Sequence, residues 1–201
     1  MPQSAADRAL SELLAAFQQL YANDGSEAGL LTAQEIGRVL TSGARPGPGA
    51  DPTGGAWTNA FAQPGALLED LMCAATPVIP WVHAGLDDGK IPAEAARRML
   101  TAELIGPDGP LYSDRVRLGL FWQDAGVSYP ARSHAAEECY ILLAGQGGWS
   151  LDHAPMATRT PGEVIFHPSL APHASQTLDH PMLAVWRWTG DIGWDSYRCT
   201  G

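Results

Sequence analysis

Apolar residues in the first part of the chain recur every three or four positions. Leu10, Leu13, Leu14, Phe17, Leu20 and Tyr21 share one helical face, and the run stops at Asn23-Asp24-Gly25. Thr32 and Glu35 fit a capping box ahead of Ile36, Val39 and Leu40, which predicts a second helix. Leu67, Leu68, Leu71 and Met72 predict a third. Pro92 followed by AEAARRML predicts a fourth, with proline in its first turn. Residues 42–56, SGARPGPGADPTGGA, cannot continue a helix and predict a loop or lid, with a plain linker as the simpler reading.

The period changes from about Arg115. RVRLGLFW, EECYILLAG, GGWSLD, GEVIFHP, HASQTL and MLAVWRW are short runs of β-branched and aromatic residues broken by Gly, Pro and Asp. Several such strands at regular spacing predict a sandwich or barrel. The chain is therefore expected to be mainly β, with a helical N-terminal extension over 1–110, containing the loop at 42–56, and a β-barrel over 111–201.

Composition narrows the function. A chain of 201 residues with 45% hydrophobic and 17% charged positions suits one domain with an extension. The formal net charge of −10 argues against nucleic acid and against an anionic membrane surface. It suits a small cationic or zwitterionic substrate. Cys73, Cys139 and Cys199 have no CxxC spacing and read as reduced thiols. MPQSAADRAL lacks a basic stretch followed by an apolar run, and no segment reaches membrane-spanning length. A cytoplasmic monomer or homodimer is expected.

The chemistry lies in two segments. Gly126, Arg132, His134, Glu138 and Gly145 lie in the first, and Gly162, Pro168, His173 and Thr177 in the second. His134, Glu138 and Tyr140 share strand parity, so one face can carry all three. Two imidazoles and a carboxylate leave open positions on a metal ion, as catalytic sites require. Both spacings resemble the cupin motifs, with residues 146–161 between them. The resemblance implies a cupin barrel with one divalent metal. Three positions depart from it. Arg132 stands where the first histidine is usual, Leu170 where glycine is, and Thr177 where asparagine is. Arginine does not ligate metals. The ligand set is thus His134, Glu138 and His173, with Tyr140 the candidate fourth. Surface or hydrogen-bonded roles account for His83, His153, His167 and His180.

Tyr129, His134, Glu138, Tyr140 and His173 together resemble the cupin-type dimethylsulfoniopropionate (DMSP) lyases. Chain length and the helical extension are most like the DddQ type. The resemblance implies β-elimination of DMSP to acrylate and dimethyl sulfide, with a divalent metal in the barrel and tyrosine as base; the mixed nitrogen and oxygen donors suit zinc, iron or manganese, and also cobalt or nickel. The chemistry is physically reasonable. A metal on the substrate carboxylate stabilises the developing enediolate, and a neutral sulfide leaves a sulfonium readily. Tyrosine titrates near ~10 and is a poor base unless a neighbouring cation lowers it. Tyr140 beside the metal meets that condition, with Tyr129 orienting substrate or sharing the proton. Aromatic faces hold sulfonium cations. Trp186 and Trp188 share a strand face, and family position favours Trp188. Trp57, beside the Gly/Pro loop, is placed to close over the barrel mouth. The competing readings are a metal-dependent cupin dioxygenase acting on a small acid or thiol, and a non-catalytic binding cupin. A sugar-nucleotide epimerase-like cupin would need a His–Asp base pair, and none is placed here.

Overall fold

Strands apolar on both faces need a cover on each side, and a computed structural model of the chain, describing residues 3–83 and 91–199, provides both covers. Helices α1 (Ala5–Ala22), α2 (Glu27–Ser42), α3 (Glu69–Ala75) and α4 (Ala93–Arg97) accompany eleven strands among the described residues. One antiparallel sheet has the order β1 (Val82–His83), β2 (Met99–Ile105), β3 (Arg117–Gln123), β10 (Met182–Gly190), β5 (Ala136–Gly145), β8 (Val164–His167). The other has the order β11 (Arg198–Cys199), β4 (Ser128–Ser133), β9 (His173–Gln176), β6 (Gly147–Leu151), β7 (Ala157–Arg159).

Two cores result. Phe121, Tyr140, Leu142, Trp149, Ala184 and Trp186 fill the barrel between the sheets. Alternate residues of the same strands, such as Cys139, Ile141, Leu143 and Val185, pack outward on Leu13, Phe17 and Ile36 of the helices. All seven residues of β3 are buried, which is why RVRLGLFW shows no clean alternation. Gly119 permits this density, because a β-carbon there would stand 2.7 Å from the Trp186 ring.

Several boundaries differ from expectation. The second helix begins at Glu27 behind an Ser26 cap, not at the Thr32–Glu35 box. Thr32 instead donates to the Ala28 carbonyl inside the helix (2.8 Å). Glu35 accepts from Arg38 and Arg115 (2.9 and 2.8 Å). The fourth helix stops at Arg98, and Met99 and Leu100 open β2, whose two faces are both covered. The barrel sheet thus takes in strands ahead of residue 111.

The Gly/Pro segment is not a lid. Ala50 pairs with Pro80, and the Trp81 amide donates to the Ala50 carbonyl (2.9 Å), strapping the segment to the helical side. Gly49 lies so close to the Ile79 backbone that a β-carbon would stand 2.7 Å from its nitrogen. Trp57 is fully buried there, its indole N–H bonded to Asp51 (2.9 Å) and its ring against Trp81, in the core outside the barrel.

Candidate metal centre

His134 precedes β5, Glu138 lies on it, and His173 opens β9 on the facing sheet. The barrel brings their donor atoms within 4.8 Å of one another, all three residues buried. The backbone fixes the imidazoles. Nδ1 of His134 donates to the Ala136 carbonyl (3.0 Å), and Nδ1 of His173 to that of Ala171 (2.9 Å). Burial, reinforced by the Arg132 charge, pushes the His173 imidazole down to about 4, so it is neutral near pH 7. With Nδ1 donating to the backbone, the neutral His173 ring presents an Nε2 lone pair, and His134 Nε2 is the atom left to face the same point. These nitrogens face Glu138 Oε2 at 3.5 and 3.1 Å, and among the described residues neither has a hydrogen-bond partner. Lone pairs converging on a carboxylate oxygen call for a cation among them. The residues therefore fit a divalent metal.

The surroundings hold Glu138 in place. Trp188 Nε1 donates to its Oε1 (2.7 Å), and His167 Nδ1 lies 2.9 Å from its Oε2. Burial would raise the Glu138 carboxyl, but the imidazoles of His134, His167 and His173 packed against it outweigh this and hold the group well below the usual range. The Trp188 ring also lies tilted against His134, with ring centroids 4.3 Å apart. Its N–H is thus committed to Glu138. Trp186 instead bonds the Leu120 carbonyl (3.1 Å).

Tyr140 follows Glu138 on the interior face of β5. Its ring lies 5.8 Å from that of His167 and 5.9 Å from those of Phe121 and Trp149. Burial raises its phenol well above 10, Glu138 adds to this, and the Arg132 charge opposes it. Tyr129 and Arg132 are three residues apart, so simple alternation would put them on opposite faces of β4. A bulge between them restores a common face: Tyr129 pairs with Ser175 and Arg132 with His173. The Tyr129 hydroxyl shares a 2.6 Å hydrogen bond with that of Tyr197.

Two residues of this site carried no motif signal. The β5–β8 register sets His167 directly opposite Glu138, where it stacks on His173 at 4.0 Å. Strand pairing would have found it; spacing along the chain does not. Tyr197 arrives from the C-terminal segment and lies parallel to His134 at 5.9 Å. His83 and His153 are exposed and His180 half-buried.

Leu170 and Thr177 show how the departures from the cupin pattern are accommodated. Leu170 adopts the left-handed φ of 64° that glycine ordinarily supplies, and its amide donates to the His134 carbonyl (2.8 Å). Thr177 Oγ1 donates to the Asp124 carbonyl and accepts from the Val127 amide, tying down the turn at Gly126.

Comparison with known proteins agrees with this geometry. A family model described as dimethylsulfoniopropionate lyase matches residues 60–184. The DMSP lyase DddQ of Ruegeria pomeroyi is 33% identical over 193 residues, 92% of each chain. A crystal structure of that organism's DddQ superposes with a TM-score of 0.72 at 30% identity, covering 96% of this chain and 97% of the other. A cupin-2 domain protein from Rhodospirillum rubrum, 13% identical, shares the fold with a TM-score of 0.50 over 62% of this chain and 77% of its own. With the model spanning most of the barrel and the relative nearly the whole length, the chain belongs to the dimethylsulfoniopropionate lyase family.

Proposed function

We propose that the protein cleaves DMSP to acrylate and dimethyl sulfide by β-elimination. The observation that carries this reading is the meeting of two buried phenols, Tyr140 and Tyr129, with the His134–Glu138–His173 donor set in one barrel. These three residues would hold a divalent metal, with Tyr140 as a fourth donor, and the metal would supply Lewis acidity toward the substrate carboxylate and lower the pKa of a neighbouring phenol.

Tyr140 takes the proton from the carbon next to the carboxylate. That C–H pair becomes the double bond of acrylate, and the C–S pair leaves with dimethyl sulfide. Tyr129, hydrogen-bonded to Tyr197, orients the substrate or receives the proton onward. Trp188 offers its ring to the sulfonium while its N–H holds Glu138. The apolar barrel lining around Phe121, Trp149 and Ile165 excludes water from the proton-transfer step. The metal is zinc, iron(II) or manganese, whose N/O preferences overlap, and the enzyme works in the cytoplasm as a monomer or homodimer.

The test is headspace measurement of dimethyl sulfide from DMSP, anaerobically and with each metal in turn. Oxygen-independent release is expected. Tyr140→Phe should lower kcat by about 10²–10⁴-fold while the protein still binds metal. A Tyr140→Phe protein that keeps most of its turnover refutes the base assignment.

A further inference from the structure

One buried group has no task in that reaction. Arg132 is 2% exposed, and among the described residues neither of its terminal guanidinium nitrogens has a hydrogen-bond partner. Its guanidinium carbon lies 3.7 Å from the centroid of the Tyr129 ring. The β4–β9 register sets it directly opposite His173, and side chains directly opposite share a face, so it looks into the barrel beside the metal centre. Glu138, the carboxylate of that centre, is engaged by His134, His167, His173 and Trp188 instead.

A buried cation without a counter-ion is among the least favourable arrangements in a protein interior. Tyr129 offers it a ring face rather than an oxygen, since the Tyr129 hydroxyl is bonded to that of Tyr197. With no carboxylate of the described residues paired to it, the guanidinium is left for a counter-ion that enters from outside. A planar fork with both NH₂ ends free matches the two oxygens of a carboxylate. We propose that Arg132 receives the carboxylate of the substrate and selects zwitterions over sulfonium cations that lack one. This rests on the lyase reading for the identity of the substrate, and on the side-chain geometry for the anion. Arg132 is then a specificity-determining residue in the position where the cupin pattern has a metal ligand.

The test uses acrylate and its neutral isostere acrylamide, titrated calorimetrically into chelator-treated and zinc-loaded full-length protein. The wild type should bind acrylate at least about tenfold more tightly than acrylamide. Arg132→Gln should bring that ratio close to one. Arg132→Lys, which keeps the charge and loses the fork, should lower it severalfold. On DMSP the KM should rise more than kcat falls. A general collapse of the site would weaken both probes together; an unchanged acrylate/acrylamide ratio in a variant with wild-type near-UV circular dichroism overturns the proposal. Should Arg132→Gln not fold, the ratio in Arg132→Lys decides. Wild-type protein that prefers acrylate but releases no dimethyl sulfide refutes the lyase reading and leaves the carboxylate site standing. Dimethyl sulfide release with a ratio independent of Arg132 refutes only the carboxylate site.

Discussion

Trp188 separates two roles that one indole can play, and Trp188→Phe divides them. The substitution keeps an aromatic face against His134 and Trp194, at centroid distances of 4.3 and 4.5 Å, but deletes the N–H that reaches Glu138 Oε1 at 2.7 Å. That hydrogen bond goes to an ionised acceptor in a dry site, where such bonds contribute about 1.5–3 kcal/mol. The freed oxygen is buried and gains no water in return, since Glu138 is only 3% exposed. If the loss falls on the orientation of Glu138 as a ligand, metal affinity should drop by roughly ten- to hundredfold. The KM for DMSP at saturating metal should change little, because phenylalanine retains a face for the sulfonium. Competition with a chromophoric chelator measures the first quantity, and headspace dimethyl sulfide the second. Metal affinity within twofold of wild type, together with a raised KM, would refute the reasoning. The indole would then act on substrate alone, and Glu138 would be positioned by its histidines.

Three further outcomes follow from the geometry. Leu170→Gly relieves a left-handed residue costing roughly 1–2 kcal/mol but frees the unfolded chain by about half that, so a stabilisation of about 0.5–1 kcal/mol is expected; a lower melting temperature would show that the 63%-exposed side chain makes contacts that matter. Acidification of metal-free protein should destabilise it from near pH 6.5 downward. The His173 imidazole titrates near 6.5 unfolded and about 4 folded, so the unfolded chain binds the extra proton across that window, and about 3 kcal/mol is lost as pH falls through it. Glu138, also depressed, loses its contribution lower still, and a melting temperature flat from pH 6.5 to 4.5 contradicts this. Arg187→Met strands Asp24, whose side chain is 2% exposed, without its 3.2 Å partner, and should cost about 3–5 kcal/mol in denaturant unfolding. Adding Asp24→Asn should recover part of that, and a cost under about 1 kcal/mol for the single variant would mean that the Ser26 N–H and O–H suffice to hold the Asp24 carboxylate.

What was legible in the sequence and what was not divide along a physical line. His134, Glu138 and His173 were legible because a strand and a turn fix their spacing locally, and any chain using those elements repeats it. β3, β5 and β10 were legible from β-branched and aromatic density, although burial on both faces erased their alternation. β2 was misread because MLTAELI continues the apolar content of the helix before it, and the switch at Arg98 is made by the sheet waiting to receive it. β4 went unread because its interior residues are a tyrosine, an arginine and a bulge that shifts the parity between them. His167 and Tyr197 enter the site through strand pairing and chain return, which no spacing encodes. Arg132 belongs to both classes. Its position was legible as the missing histidine of the cupin pattern, yet its meaning was not, because an arginine there could have turned outward to solvent. Only the bulge that places it opposite His173 and over Tyr129 makes it an interior cation lacking an anion. That arrangement turns the loss of a metal ligand into the gain of a substrate contact, since the position surrenders a lone pair and acquires a fork that a carboxylate can fill.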